Sequence, residues 1–130
     1  MIVVDASAVV LALTHGGPLG DLARKRLSGE TLHAPAVVEC EAAQAICGLS
    51  LGGRLEQSAA ATAITPLSAL PIQRTPGYAL LERVWELRAD LSAYDASYVA
   101  LAEHLECSLV TGDARIARAG AARCPVDVVA

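Results

Sequence analysis

Short apolar runs and segments of helical period alternate along this chain from end to end. The first four residues are apolar without a break, and the run closes on an acid, Asp5. Brief continuous apolar runs bounded by turn residues suit strands buried on both faces. Further short strands are read in "TLHAP", stopped by Pro35, in "ALPIQRTP", bounded by Pro71 and Pro76, and in "CSLVTGD" and "VDVV". Between them the pattern turns helical. "SAVVLALTH" predicts a helix with Ser7 as its N-cap, and "LGDLARKRLSG" a second one ended by Gly29. Residues 36–48 predict a third, followed by the turn "SLGG", and "RLEQSAAATAI" a fourth, broken by Pro66. "YALLERVWELRADL" predicts one strong helix, with Leu81, Val84, Trp85 and Arg88 at helical spacing. "AYDASYVALAEHLE" and "ARIARAG" supply the last two. Strands alternating with helices predict an α/β fold: a single domain over residues 1–130 whose central, mostly parallel sheet is flanked by helices in three layers, α/β/α. No internal repeat or linker interrupts it.

Composition narrows the possibilities. The chain has 130 residues, enough for one real core, and 54% are hydrophobic with no Phe, so that core is built from Ala, Val, Leu and Ile. A net charge of −4 argues against diffuse nucleic-acid binding, which needs excess Lys and Arg, but leaves room for a nucleic-acid enzyme whose acids hold divalent cations. No apolar run approaches the roughly 20 residues that cross a bilayer. No signal peptide is visible either, so a cytoplasmic location without membrane contact is expected. Cys40, Cys47, Cys107 and Cys124 form no CxxC pair and do not cluster with His15, His33 or His104. They are expected to be reduced, mostly buried thiols rather than a zinc site.

The acids raise the chemical question. Asp5 ends the first predicted strand, and ligands of parallel sheets bind beyond the carboxyl ends of the strands. Burying an ionised carboxylate costs several kcal/mol unless something pairs with it, yet the nearest cation in sequence is Arg24. Asp5 either caps the next helix or belongs to a site assembled from distant segments. Asp113 repeats the pattern at the end of "SLVTGD". A lone strand-end Asp is commonly a turn former or helix cap, but on neighbouring strands, about 5 Å apart, two such carboxylates converge. Glu41 interrupts the apolar stripe of Val37, Val38 and Ala45, whereas Glu39 falls on the opposite side as an ordinary solvated acid. Asp95 stands three residues after Ser92, a variant of the capping box, and a first-turn Asp can both cap and face a strand-end cleft. Acids that share a site raise each other's pKa unless cations bind, and oxygen-only ligands select Mg²⁺ or Mn²⁺. The expected partner of Asp5 is therefore a metal ion.

"MIVVDASAVV", "APAVVECEAAQAI", "LSAYDASYVALAEHLECSLVTGDARIARA" and "PVDVV" together resemble the PIN-domain family, and within it the VapC-type toxins of bacterial toxin–antitoxin pairs. The resemblance runs nearly end to end and is most specific at "AYDASYVALAE…LVTGD". It implies a metal-dependent endoribonuclease toxin using Mg²⁺ or Mn²⁺, a cognate antitoxin that neutralises it, and a homodimer. By motif position it maps the catalytic and metal-binding acids to Asp5, Glu41, Asp95 and Asp113. Ser7, Thr111 and Arg88 fall at supporting positions. Gln44 departs from the Asn common in relatives, and Glu39 adds an acid beside Glu41.

Other chemistries fit less well. An Asp-nucleophile phosphatase usually carries a second Asp where this chain has Ser7, and a phosphorylatable receiver has a late Lys where this chain has only Lys25. A catalytically inactive PIN-like module that binds RNA or protein stays open, and an RNA-cleavage assay separates it. Arg24, Lys25 and Arg26 read as a solvated helix face. Arg115, Arg118 and Arg123, which follow Asp113, are the better candidates for phosphate contacts.

Overall fold

Five short strands, β1 (Ile2–Val4), β2 (Leu32–Pro35), β3 (Ile72–Thr75), β4 (Ser108–Thr111) and β5 (Val126–Val128), lie side by side in the order β3-β2-β1-β4-β5 in the computed structural model, which describes residues 1–130. Every pairing is parallel, so the sheet expected to be mostly parallel is wholly so. The order places the first strand at the centre, with Ile2, Val3 and Val4 all buried. Helices α1 (Ala6–Thr14), α2 (Pro18–Leu27), α3 (Val38–Leu51), α4 (Gln57–Ile64), α5 (Leu81–Glu86), α6 (Ala93–His104) and α7 (Ala114–Ala119) complete the three-layer α/β/α arrangement. Its core is aliphatic apart from Tyr98, as a chain without Phe requires. No helix is long and apolar enough to cross a membrane.

Three local expectations change. The N-cap of α1 is Asp5, not Ser7: its extended backbone (φ −90°, ψ 169°) ends β1 and its carboxylate accepts the Ala8 N–H. A single residue thus closes the strand and opens the helix, which moves the cap two residues earlier. The long helix read over residues 78–91 is instead a 3-10 turn (Gly77–Ala79) followed by the six-residue α5. The chain leaves α geometry at Leu87, and tighter bonds follow from Arg88 N–H to the Trp85 carbonyl and from Asp90 N–H to that of Leu87. Its apolar residues divide between two sides: Leu80 and Leu87 enter the core while Leu81 and Trp85 face out, so no continuous stripe holds a longer helix. The cysteines are free, as expected, but not mostly buried. Cys40 and Cys47 are exposed, and Cys107 and Cys124 half-buried. On α3 the core takes Val38, Ala42 and Ile46, and Cys40 and Cys47 fall outside that stripe.

One glycine is fixed by close approach. Where α2 begins against the end of α1, a Cβ at Gly20 would lie 1.9 Å from the His15 carbonyl oxygen.

Candidate active site

Asp5 and Thr111 are the polar residues that this core buries, 5% and 0% exposed, and they are bonded to one another. β1 and β4 are neighbours with Val4 opposite Val110, which brings Thr111 beside Asp5. Thr111 Oγ1 donates to Asp5 Oδ2 at 2.5 Å, and Ser7 Oγ donates to Oδ1 at 2.6 Å. With the Ala8 N–H at 3.0 Å, Asp5 holds three donors. The same two hydroxyls accept backbone N–H groups from the turn after β4: Ser7 Oγ that of Gly112 (2.8 Å) and Thr111 Oγ1 that of Asp113 (2.9 Å). Residues about a hundred positions apart in sequence therefore fix one carboxylate in place.

The other acids reach the same region from different elements. Glu41 sits in the first turn of α3, and its Oε1 accepts the Tyr98 hydroxyl of α6 at 2.6 Å. Asp95 sits in the first turn of α6, where its N–H is capped by Ser92 Oγ at 3.1 Å. Asp113 caps α7 and is clamped by the exposed Arg115 guanidinium, with Nη2 at 2.6 Å. Burial is the main force raising the pKa of Asp5, Glu41 and Asp95, opposed at Asp5 and Glu41 by their hydroxyl partners. Charge repulsion links them. Asp95 pushes up both Asp5 and Glu41, and Asp113 pushes up Asp95. Asp113 itself is held below the usual carboxylate range by its bond to Arg115.

The sequence profile of the PIN domain matches residues 2–122. The chain belongs to the PIN-domain family. This PIN domain is 46% identical over 129 residues to Ribonuclease VapC9 of Mycobacterium tuberculosis, covering 99% of this chain and 98% of that one. It is 36% identical to Ribonuclease VapC12 of the same organism over the full length of both. Among solved structures, PAE2754 from Pyrobaculum aerophilum superposes with a TM-score of 0.69 at 26% identity, covering 98% of this chain and 88% of that one.

The four acids mapped by the motifs are thus linked electrostatically in the PIN domain, Asp113 through Asp95 alone. Asp5, expected to lack a protein partner, has three. It is both the helix cap and a member of the acidic site, so the two readings of it are not exclusive. Family membership implies a divalent cation. The donor set fits a hard ion, since it is carboxylate oxygen throughout. No three His, Cys, Asp or Glu side chains close on one point at metal-binding distance. A largely hydrated ion needs only one or two direct carboxylates, however.

The supporting residues divide. Ser7 and Thr111 serve Asp5 directly. Arg88 instead lies over the Trp85 ring, 4.1 Å from its centroid, and bonds the Trp85 carbonyl. Glu39, expected to be simply solvated, is ion-paired with Arg74 of β3. Among the basic residues after Asp113, Arg115 bonds that acid, whereas the Arg123 N–H bonds Glu103. Tyr98 was not singled out from the sequence. A Tyr three residues after Asp95, at the head of the apolar run Val99–Ala102, is the available signal, because a buried phenol needs a partner.

Glu41 carries a stability cost with a definite sign. A carboxyl whose folded pKa is raised stabilises the fold below the ordinary carboxylate range, and that contribution is lost as pH rises through the folded pKa. Asp5 and Asp95 act in the same sense, and Asp113 in the opposite one. Glu41→Gln keeps an oxygen for the Tyr98 hydroxyl and removes the charge. It should stabilise the PIN domain by about 0.5–1 kcal/mol at neutral pH, after allowance for solvent screening. The gain should fade as acid protonates Glu41 in the parent. Urea unfolding at neutral and mildly acidic pH measures both; equal stabilities at both pH values would refute it.

Proposed function

We propose that this PIN domain is an endoribonuclease that hydrolyses RNA phosphodiester bonds with the help of Mg²⁺ or Mn²⁺, and that a cognate antitoxin protein neutralises it. The observation that carries this reading is Asp5, a carboxylate buried in the core and held by Ser7, Thr111 and the Ala8 N–H. The near full-length likeness to proteins named ribonucleases supports it. Asp5, Glu41, Asp95 and Asp113 would hold the ion. When bound, it would lower the pKa of a coordinated water and steady charge on the phosphate and the leaving oxygen.

The chain's own residues divide the remaining work. Asp5, with two donors on Oδ1 and one on Oδ2, is a poor base but a fixed ligand that keeps a free lone pair on Oδ2. Burial and the field of Asp113 strengthen the hold of Asp95 on a proton, against the weaker opposing pull of the Ser92 hydroxyl and Arg115. Asp95 is therefore the better acceptor for a proton from the attacking water. Arg115, whose side chain is 79% exposed, would be free of steric hindrance to exchange Asp113 for a phosphate oxygen. An antitoxin would most simply insert an Arg among the four acids, displacing metal and phosphate together. We place the working protein in the cytoplasm as a homodimer.

Chelation tests the proposal. EDTA should abolish cleavage of cellular RNA, and added Mg²⁺ or Mn²⁺ should restore it. Undiminished cleavage after verified metal removal would refute the metal-dependent mechanism.

A further inference from the structure

We infer that the pocket between Tyr94, Gln44 and Glu41 is a nucleobase subsite, which selects the nucleotide beside the scissile phosphate. The inference rests on the ribonuclease reading above and names part of its substrate specificity. The cavity measures about 380 Å³ and is lined by Val37, Cys40, Glu41, Gln44 and Tyr94. That is within the roughly 300–1,000 Å³ of small-molecule sites. Its position is the first argument. Glu41 belongs both to this pocket and to the acidic site, and Tyr94 directly precedes Asp95. A group held here abuts the place where the phosphate must sit.

Its chemistry is the second. The chain has no Phe, one Trp and three Tyr, so aromatic rings are scarce. On α6, Tyr98 is 1% exposed and bonded to Glu41, whereas Tyr94, one turn earlier, is 59% exposed. The Tyr94 hydroxyl and the Gln44 amide each have no hydrogen-bond partner within the chain, while the hydroxyls around Asp5 are fully engaged. An exposed ring offers a stacking face to an unpaired base, a free amide can read a base edge, and Val37 supplies apolar contact.

Charge decides between base and phosphate. No Arg or Lys lines the cavity, and Glu41 does. A phosphate would be repelled, whereas a neutral base with an exocyclic amine would find an acceptor.

The test uses the whole chain with Mg²⁺ and a pool of short single-stranded RNAs that vary the bases around the cut. Cleaved ends are mapped and KM and kcat measured for the parent, Tyr94→Ala, Tyr94→Phe and Gln44→Ala. Tyr94→Ala should raise KM by about 5- to 100-fold, the range of one lost base–aromatic stack, with kcat held within about threefold. Tyr94→Phe keeps the ring and should restore KM to within about twofold. Gln44→Ala should flatten the base preference at one position next to the cut. Parent-like KM and base preference in Tyr94→Ala would overturn the subsite, as would a loss confined to kcat, which would make Tyr94 a positioning residue for Asp95. Weakened affinity for a protein partner with RNA kinetics unchanged would overturn it too, and assign the pocket to that partner. A parent chain that cleaves no RNA would overturn the ribonuclease reading itself; parent cleavage with silent variants would overturn the subsite alone.

Discussion

Asp5→Asn should leave a folded protein that cleaves RNA at least ~100-fold more slowly than the parent, within the span expected when a central charged group of a hydrolytic site is neutralised. The fold should survive because Asn caps helices as well as Asp does. Its amide oxygen can keep the Ala8 N–H and Ser7 hydroxyl, and the Thr111 hydroxyl can rotate to accept from the new NH₂. Exchanging a desolvated charge for a neutral amide also removes the repulsion from Asp95. Initial cleavage rates and a thermal melt of the same preparation check the two halves. Glu39→Gln is the control: it breaks an ion pair with Arg74 that lies away from Asp5, so cleavage should stay near the parent rate. Comparable losses from both substitutions would mean that the buried carboxylate has no special part in the chemistry.

Gly20→Ala should destabilise the fold by about 3 kcal/mol, the upper range for overpacking. Alanine ordinarily favours a helix over glycine by close to 1 kcal/mol, so propensity alone predicts the opposite sign. The steric argument wins because the atom in the way is backbone. A new Cβ would stand 1.9 Å from the His15 oxygen and 2.7 Å from its carbonyl carbon, and neither can rotate aside. Urea unfolding of the variant measures the loss; a variant as stable as the parent would show that the α1–α2 junction yields freely.

The central strands β1 and β4 were legible because they are short, apolar and punctuated, the signature of parallel strands buried on both faces, whereas the edge strands β3 and β5 were marked mainly by their flanking prolines and turn residues. The four acids were legible as motif positions. Their effect on one another was not, since it depends on β1 and β4 being neighbours, and sequence order says nothing about which strands pair. Asp5 shows why the rest was hidden. Its partners Ser7 and Ala8 are local, but Thr111 arrives from the far end of the chain. The region after Pro76 misled for a different reason. Helical spacing of Leu81, Val84, Trp85 and Arg88 describes a stripe, and no core surface receives it: Leu81 and Trp85 stay 61% and 67% exposed. The Glu39–Arg74 pair was equally invisible, because it joins the start of α3 to β3 across the chain's middle.

The central place of β1 has a consequence for how this protein comes into being. The strand made first by the ribosome pairs on one side with β2 and on the other with β4, whose residues are synthesised more than a hundred positions later. Non-local pairing of this kind is slow to form and cannot begin before both partners exist. Until Thr111 and Asp113 have left the ribosome, Asp5 has no hydroxyl from β4 and Asp95 has no neighbouring carboxylate from that strand end. On the ribonuclease reading, an RNA-cutting centre is therefore incomplete until β4 and the turn after it have been made. On that reading the topology would leave the translating ribosome and message an interval before the chain can cut, and would give the proposed antitoxin time to meet the chain as it folds.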